Sequence, residues 1–183
     1  MRLLIIGNSG SGKTTLARRI AADLGVAPVS MDSVAFAEGT QRRSVRESVA
    51  ALQALWHDRA HGVIEGCYAD IAEALLPACD RLLFLNPGVV RCVAHCRQRP
   101  WEPDKFASAA EQDAHLDALI EWVRAYPERK DEYGLARHRA LFDTFAGDKR
   151  ELRRPEDYAV IADGIAQENG RRLRGRSACH RLG

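Results

Sequence analysis

Residues Gly7-Asn8-Ser9-Gly10-Ser11-Gly12-Lys13-Thr14 satisfy the pattern G-x-x-x-x-G-K-[ST] at every fixed position. The flanks restrict what the octapeptide can be. Leu3 to Ile6 before it is a continuous apolar run, as in a strand buried on both faces. From Lys13 onward, Leu16, Ala17, Ile20, Ala21 and Leu24 recur at helical spacing, and Gly25 stops the helix. A buried strand, a glycine-rich turn and an amphipathic helix in that order form a phosphate cradle. The glycines let consecutive N–H groups point inward, and the helix start adds its positive dipole end. Gly7, Asn8, Ser9, Gly10, Ser11, Gly12, Lys13, Thr14 and Thr15 are therefore the expected phosphate-binding residues. Lys13 reaches the outer phosphates, and the Thr14 hydroxyl is placed to ligate a divalent cation.

The rest of the chain alternates strand and helix. Strands are expected at Pro28 to Met31, around Val63-Ile64 between Gly62 and Gly66, at Arg81 to Leu85, and at Lys149 to Leu152. Helices are expected over Arg42 to Ala60, Tyr68 to Leu76, Val89 to Gln98, Ala109 to Tyr126, Glu132 to Phe145 and Glu156 to Asn169. Pro100 and Pro103 make Arg99 to Phe106 a loop. The alternation predicts an α/β fold: three α/β/α layers around a mostly parallel five-stranded sheet. One domain spans residues 1–170, and a basic, disordered tail is expected over 171–183.

Charge and cysteine content narrow the function classes. The formal net charge of the 183 residues is +2, too balanced to argue for nucleic acid or an anionic membrane. No basic patch with interleaved aromatics appears, so a nucleic-acid partner is not expected. No apolar stretch approaches the ~20 residues that span a bilayer, and the N-terminus does not read as a signal peptide. The five cysteines are odd in number and irregular in spacing, so reduced thiols in a cytoplasmic protein are expected. Cys92, His95 and Cys96 form a C-x-x-H-C cluster, which lacks further ligands at zinc spacing and reads as packing on one helix.

Within proteins built on this loop, the chain carries neither the N-K-x-D of GTPases nor the L-S-G-G-Q of transporter ATPases. Its opening, with Leu16-Ala17 after the loop, resembles the small P-loop kinases: adenylate kinase, shikimate kinase and gluconate kinase. More closely, it resembles a poorly characterised bacterial group of kinase-like, AAA-family ATPases. That likeness is carried by Val63-Ile64-Glu65-Gly66-Cys67-Tyr68, by Leu83-Phe84-Leu85-Asn86-Pro87, and by the stretch from Arg97-Gln98-Arg99-Pro100-Trp101 through Phe106. The resemblance spans about residues 1–157. It implies ATP and Mg²⁺ as cofactors, a helical lid over about 97–127, and transfer of the γ-phosphate to a small-molecule or nucleotide acceptor. An ATPase or nucleotide sensor without an acceptor is the alternative.

The resemblance also distributes roles. Asp32, just after the second strand, would organise Mg²⁺ or take the acceptor's proton; the plain alternative is a helix N-cap. Glu65 stands where the pattern commonly has Asp and would hold a metal-bound water or an acceptor group as a catalytic residue, and Gly66 would let a ligand approach the backbone. Arg97 and Arg99 fall in the lid, where arginines stabilise the transferring phosphoryl group. Arg42 and Arg43 would hold an acceptor phosphate or carboxylate. Trp101 and Phe106 are expected to anchor the lid in the core. Arg137, His138 and Arg139 form a weaker cluster, expected on the surface.

Overall fold

The computed structural model describes residues 1–37, 41–56, 59–103 and 106–179. Five strands form one sheet in the order β2-β3-β1-β4-β5. They are β1 (Arg2–Gly7), β2 (Val29–Ser30), β3 (Gly62–Gly66), β4 (Arg81–Leu85) and β5 (Asp148–Leu152). Every pairing is parallel. The helices are α1 (Lys13–Leu24), α2 (Asp32–Ala35), α3 (Val45–Trp56), α4 (Ala69–Leu75), α5 (Val89–Arg97), α6 (Ala109–Ala114), α7 (Leu116–Arg124), α8 (Leu135–Thr144) and α9 (Pro155–Cys179). None of the described helices is long and apolar enough to cross a membrane.

The period-two alternation of the strands divides the core. Leu4, Ile6, Ile64, Leu82 and Phe84 face one way, onto α3, α4 and α8. Leu3, Ile5, Val63, Leu83 and Leu85 face the other way, onto α1 and α9. Each fully buried Leu or Ile contributes roughly 1.5–3 kcal/mol, so β1, apolar on both faces, holds the two layers together. A third cluster of Cys92, Val93, Cys96, Ile120 and Val123 packs α7, in the second half of the expected lid segment, onto α5.

The structure departs from the sequence reading in four places. The short helix α2 was not anticipated. It is followed by a narrow return in which Phe36 bridges Arg42 antiparallel and Ala37 N–H donates to Gln41 O. The expected helix from Arg42 therefore starts only at Val45. The expected helix Ala109 to Tyr126 is broken at His115. There the imidazole Nδ1 meets the Glu111 carbonyl at 2.8 Å, while the His115 main-chain N–H bonds Gln112 O instead. The helix α9 runs on to Cys179, past the Asn169 end expected for it, and so takes in most of the segment read as a disordered tail; residues 180–183 lie outside the described residues. Finally, His138 is not on the surface.

His138 is fully buried. Its Nε2 lies 3.0 Å from the Cys67 carbonyl, which can only accept, so Nε2 carries the proton. Nδ1 then accepts from the Tyr126 hydroxyl at 2.7 Å. Burial lowers the imidazole pKa to about 4. The unfolded chain, near 6.5, binds its proton first as pH falls, so stability is full above pH 6.5 and is lost toward pH 4. Glu151, held down to about 2 chiefly by Arg139, loses its contribution only below its own ordinary range. The expected outcome is a loss of up to about 3 kcal/mol on acidification from pH 6.5 to 4. Urea titrations across that interval check it, and in His138→Gln this pH slope disappears.

Candidate phosphate-binding site

The loop between β1 and α1 is shaped by positions where only glycine fits. Gly10 and Gly12 have φ of 74° and 95°. A Cβ on Gly7 would stand 2.3 Å from Leu85 O, and one on Gly10 would stand 2.3 Å from Cys92 O and 2.7 Å from Cys96 Sγ. Three of the loop's carbonyls are held by two helices and by the loop's own lysine, and a third helix accepts from the Asn8 side chain. His95 Nδ1 donates to Gly10 O at 2.9 Å from α5. Tyr158 donates its hydroxyl to Ser11 O at 2.9 Å from α9. The buried Asn8 accepts the Ser9 N–H and donates Nδ2 to Val123 O, at 3.1 Å, on α7. Lys13 Nζ, itself buried, donates to Asn8 O at 2.9 Å.

What this leaves open is a set of donors. Among the described residues, no hydrogen bond takes the main-chain N–H of Gly10, Gly12, Lys13, Thr14 or Thr15, and the buried Ser11 hydroxyl has no partner. These groups surround the N-terminus of a twelve-residue helix beside one ammonium. The donor set fits a polyphosphate: it is donor-only and positive, and its charge is concentrated where helix dipole and Lys13 coincide.

The sheet register brings acids to the same edge. Glu65 pairs with Ile5 across β3 and β1 and shares the parity of Val63, so its side chain emerges on the α1 face. There the buried Glu65 accepts from Thr14 Oγ1 at 3.0 Å. A hydroxyl and a carboxylate are hard oxygen donors that fit Mg²⁺, which fills its remaining positions with phosphate oxygens and water. The sequence names Thr14 and Asp32 for the metal, with Glu65 at a metal-bound water or the acceptor. In the structure, Thr14 bonds Glu65, and Asp32 in the first turn of α2 accepts from the Tyr68 hydroxyl at 2.8 Å. Nor does Asp32 cap α2 through its side chain, since the N-cap position is Met31. The alternation of β3 carried the signal for the Thr14–Glu65 pair: Val63 and Glu65 had to share a face.

Gly66 serves packing. A Cβ there would lie within 2.7 Å of the fully buried Met31 side chain, so the close approach is Met31 and not a ligand. Cys67 beyond it has its thiol pushed up to about 12 by burial, which keeps it protonated and unreactive.

The expected arginines separate into those near the loop and those committed elsewhere. Arg99 reaches the loop, with Nη2 3.4 Å from Ser9 Oγ and Nη1 3.3 Å from Glu102. Arg97 is exposed on the last turn of α5, and among the described residues nothing ties it to the loop. Arg42 is not open to an acceptor. Its guanidinium takes both oxygens of Asp70, at 2.9 and 2.7 Å, and a carboxylate oxygen of Glu132, between the rings of Tyr68 and Tyr133. Arg43 is exposed and joins α2 through its main-chain N–H to Ala35 O. Arg137 pairs with Glu73 and Arg139 with Glu151. Trp101 does not anchor the lid in the core: it is 47% exposed, and its indole N–H donates to Phe106 O. Phe106 packs its ring near His115.

The likeness of this chain to known proteins lies in its fold. The ATPase family associated with various cellular activities (AAA) matches residues 3–85, which is β1 through β4 with the phosphate loop and Glu65. No curated protein matches the sequence. A gluconokinase from Sinorhizobium meliloti 1021 superposes with a TM-score of 0.51 at 16% identity, over 98% of this chain and 96% of that one. A shikimate kinase from Acinetobacter baumannii in complex with shikimate gives 0.49 at 15% identity, over 96% and 93%. The fold is that of the small P-loop kinases.

The loop geometry has a direct test. Gly10→Ala forces both a strained φ and a collision with Cys92 O, and is expected to lower Tm by about 4–8 °C. Gly25→Ala, also at positive φ but with open space around its Cβ, is expected to cost less. Thermal unfolding of the two variants side by side measures the difference.

Proposed function

We propose that this chain is an ATP-dependent phosphotransferase, using Mg²⁺ and moving the γ-phosphate to a small-molecule or nucleotide acceptor. The observation that supports this reading most is the convergence at one sheet edge: five N–H groups left open among the described residues, the Lys13 ammonium, and the Thr14–Glu65 pair. A loop that bound only inorganic anions would have no use for a buried carboxylate at its rim. Burying Glu65 without a cation partner costs free energy, and a divalent ion at Thr14 offsets that cost.

In this reading the residues Gly7 to Thr15 hold the triphosphate of ATP. Lys13 leaves Asn8 O and neutralises the β- and γ-phosphates. Mg²⁺, when bound through Thr14 and Glu65, supplies charge neutralisation on the phosphate oxygens. Asp32 lies past the end of β2 on the acceptor side. It takes the proton of the acceptor hydroxyl as that oxygen bonds to the γ-phosphorus. The bond from the γ-phosphorus to the bridging oxygen breaks, and ADP leaves with that electron pair. Tyr68 holds Asp32 in position through its hydroxyl. Arg99, held among the described residues by two long contacts, is able to turn from Ser9 to the transferring group. The gluconokinase that shares this fold is named for a small-molecule acceptor, which supports an acceptor of that size.

A second reading, hydrolysis of ATP without an acceptor, draws support from Arg42, whose guanidinium is consumed inside the protein. One assay separates the two: ADP release with MgATP alone and with a panel of hydroxyl acceptors. Acceptor-dependent release supports transfer; release indifferent to every acceptor supports the ATPase. Lys13→Ala is expected to abolish both turnover and the rise in Tm on adding MgATP. Glu65→Gln is expected to lower kcat by about a hundredfold. A Lys13→Ala protein that still responds to MgATP like the parent sinks the assignment.

A further inference from the structure

We infer that the acceptor side of this site takes an uncharged or cationic hydroxyl compound, a sugar-like polyol or an amino alcohol, and rejects anionic acceptors. The inference rests on the phosphotransfer reading above and gives it a substrate class.

The wall that faces an acceptor is built around Tyr68. Its hydroxyl donates to Asp32 Oδ1 at 2.8 Å, and its ring meets Phe36 edge-on with centroids 6.4 Å apart. Asp32 opens α2 and Phe36 follows its end, and Tyr68 contacts both. Tyr68 is buried, whereas Phe36 is 37% exposed and Asp32 is exposed. One buried tyrosine thus contacts both an exposed carboxylate and an exposed aromatic ring. A carboxylate accepts from hydroxyl or ammonium groups. An aromatic face packs against the apolar side of a polyol ring and attracts a cation.

The charge around the wall opposes an anion. Arg42 lies over the Tyr68 ring, where an acceptor phosphate or carboxylate would look for a guanidinium. It is already saturated by Asp70 and Glu132 and sandwiched against Tyr133. Two carboxylates, those of Asp70 and Glu132, stand against this one guanidinium, and a third, Asp32, lies at the hydroxyl of the same Tyr68. The next arginine, Arg43, is exposed and lies within electrostatic reach of Glu47. An anionic acceptor would have to displace Asp70 or Glu132 or sit beside like charge.

The test measures acceptor-dependent ADP release with MgATP, giving kcat/KM for inositol, glucose and glucosamine against glycerate and AMP. The uncharged and cationic compounds are expected to exceed the anions at least tenfold. In Asp70→Asn combined with Glu132→Gln, which releases Arg42, the ratio is expected to move toward the anions about tenfold. Phe36→Ala, which leaves the Arg42 cluster whole, is expected to raise the acceptor KM about tenfold. Equal or better use of glycerate or AMP by the parent overturns this inference and leaves phosphotransfer standing. An unchanged acceptor KM in Phe36→Ala overturns it as well. ADP release that depends on Lys13 but on none of the five compounds overturns phosphotransfer to small hydroxyl acceptors, and this inference with it.

Discussion

The whole site depends on β1 ending where its neighbour leaves no room for a side chain. The carbonyl of Leu85 on β4 lies 2.3 Å from the place a Cβ on Gly7 would occupy. Only a residue without a side chain lets the chain turn there, directly beyond two apolar layers that cannot shift. The turn then has to satisfy its own polar groups. It does so by directing carbonyls outward, to His95, to Tyr158 and to Lys13, and N–H groups inward. The anion cradle is in this sense the remainder left when the carbonyls of Asn8, Gly10, Ser11 and Gly12 have found donors elsewhere.

That logic explains how far the sequence could be read. The loop, α1 and β4 carried their own punctuation: glycines at fixed positions, apolar spacing of 3.6, and a run of Leu and Phe closed by Asn86-Pro87-Gly88. The helix α1 and the strand β4 have the bounds the spacing predicted, and the parallel five-stranded sheet followed from alternation alone. Glu65 was legible as an edge carboxylate. Its pairing with Thr14 needed one further step, the parity of Val63 and Glu65 in β3, which sequence makes available.

Other features were not available in that way. The helix α2 is only four residues long, too short to show a period, and it is held by Met31 and by packing of Val34 and Ala35. The partners of Arg42 lie at Asp70 and Glu132, far along the chain, and nothing local marks them as its neighbours. His138, flanked by two arginines, looks solvated in sequence; its burial is decided by Tyr126 and the Cys67 carbonyl, both on other elements. The break at His115 turns on an imidazole competing for a carbonyl within one turn, a local effect that propensity does not resolve. Tertiary partners decide charge and burial in each case except the last.

The helix α7 and its following turn touch both halves of the site. Val123 O accepts from Asn8 in the phosphate loop. One residue earlier, Trp122 packs edge-on to Tyr133, with Arg129 over both rings. Tyr133 in turn meets Tyr68, the residue that holds Asp32. Adjacent residues of one short helix therefore bear on the loop and, through two aromatic contacts, on the acid across the cleft. Since α7 is itself packed on α5, whose His95 holds Gly10 O, the loop and the acid share a common support. A shift of α7 that relaxed the Asn8 contact would also move the ring against which Tyr68 rests. The positions of loop and acid are thus set by one packed layer, and the spacing that phosphoryl transfer requires between donor phosphate and acceptor base is a property of that layer.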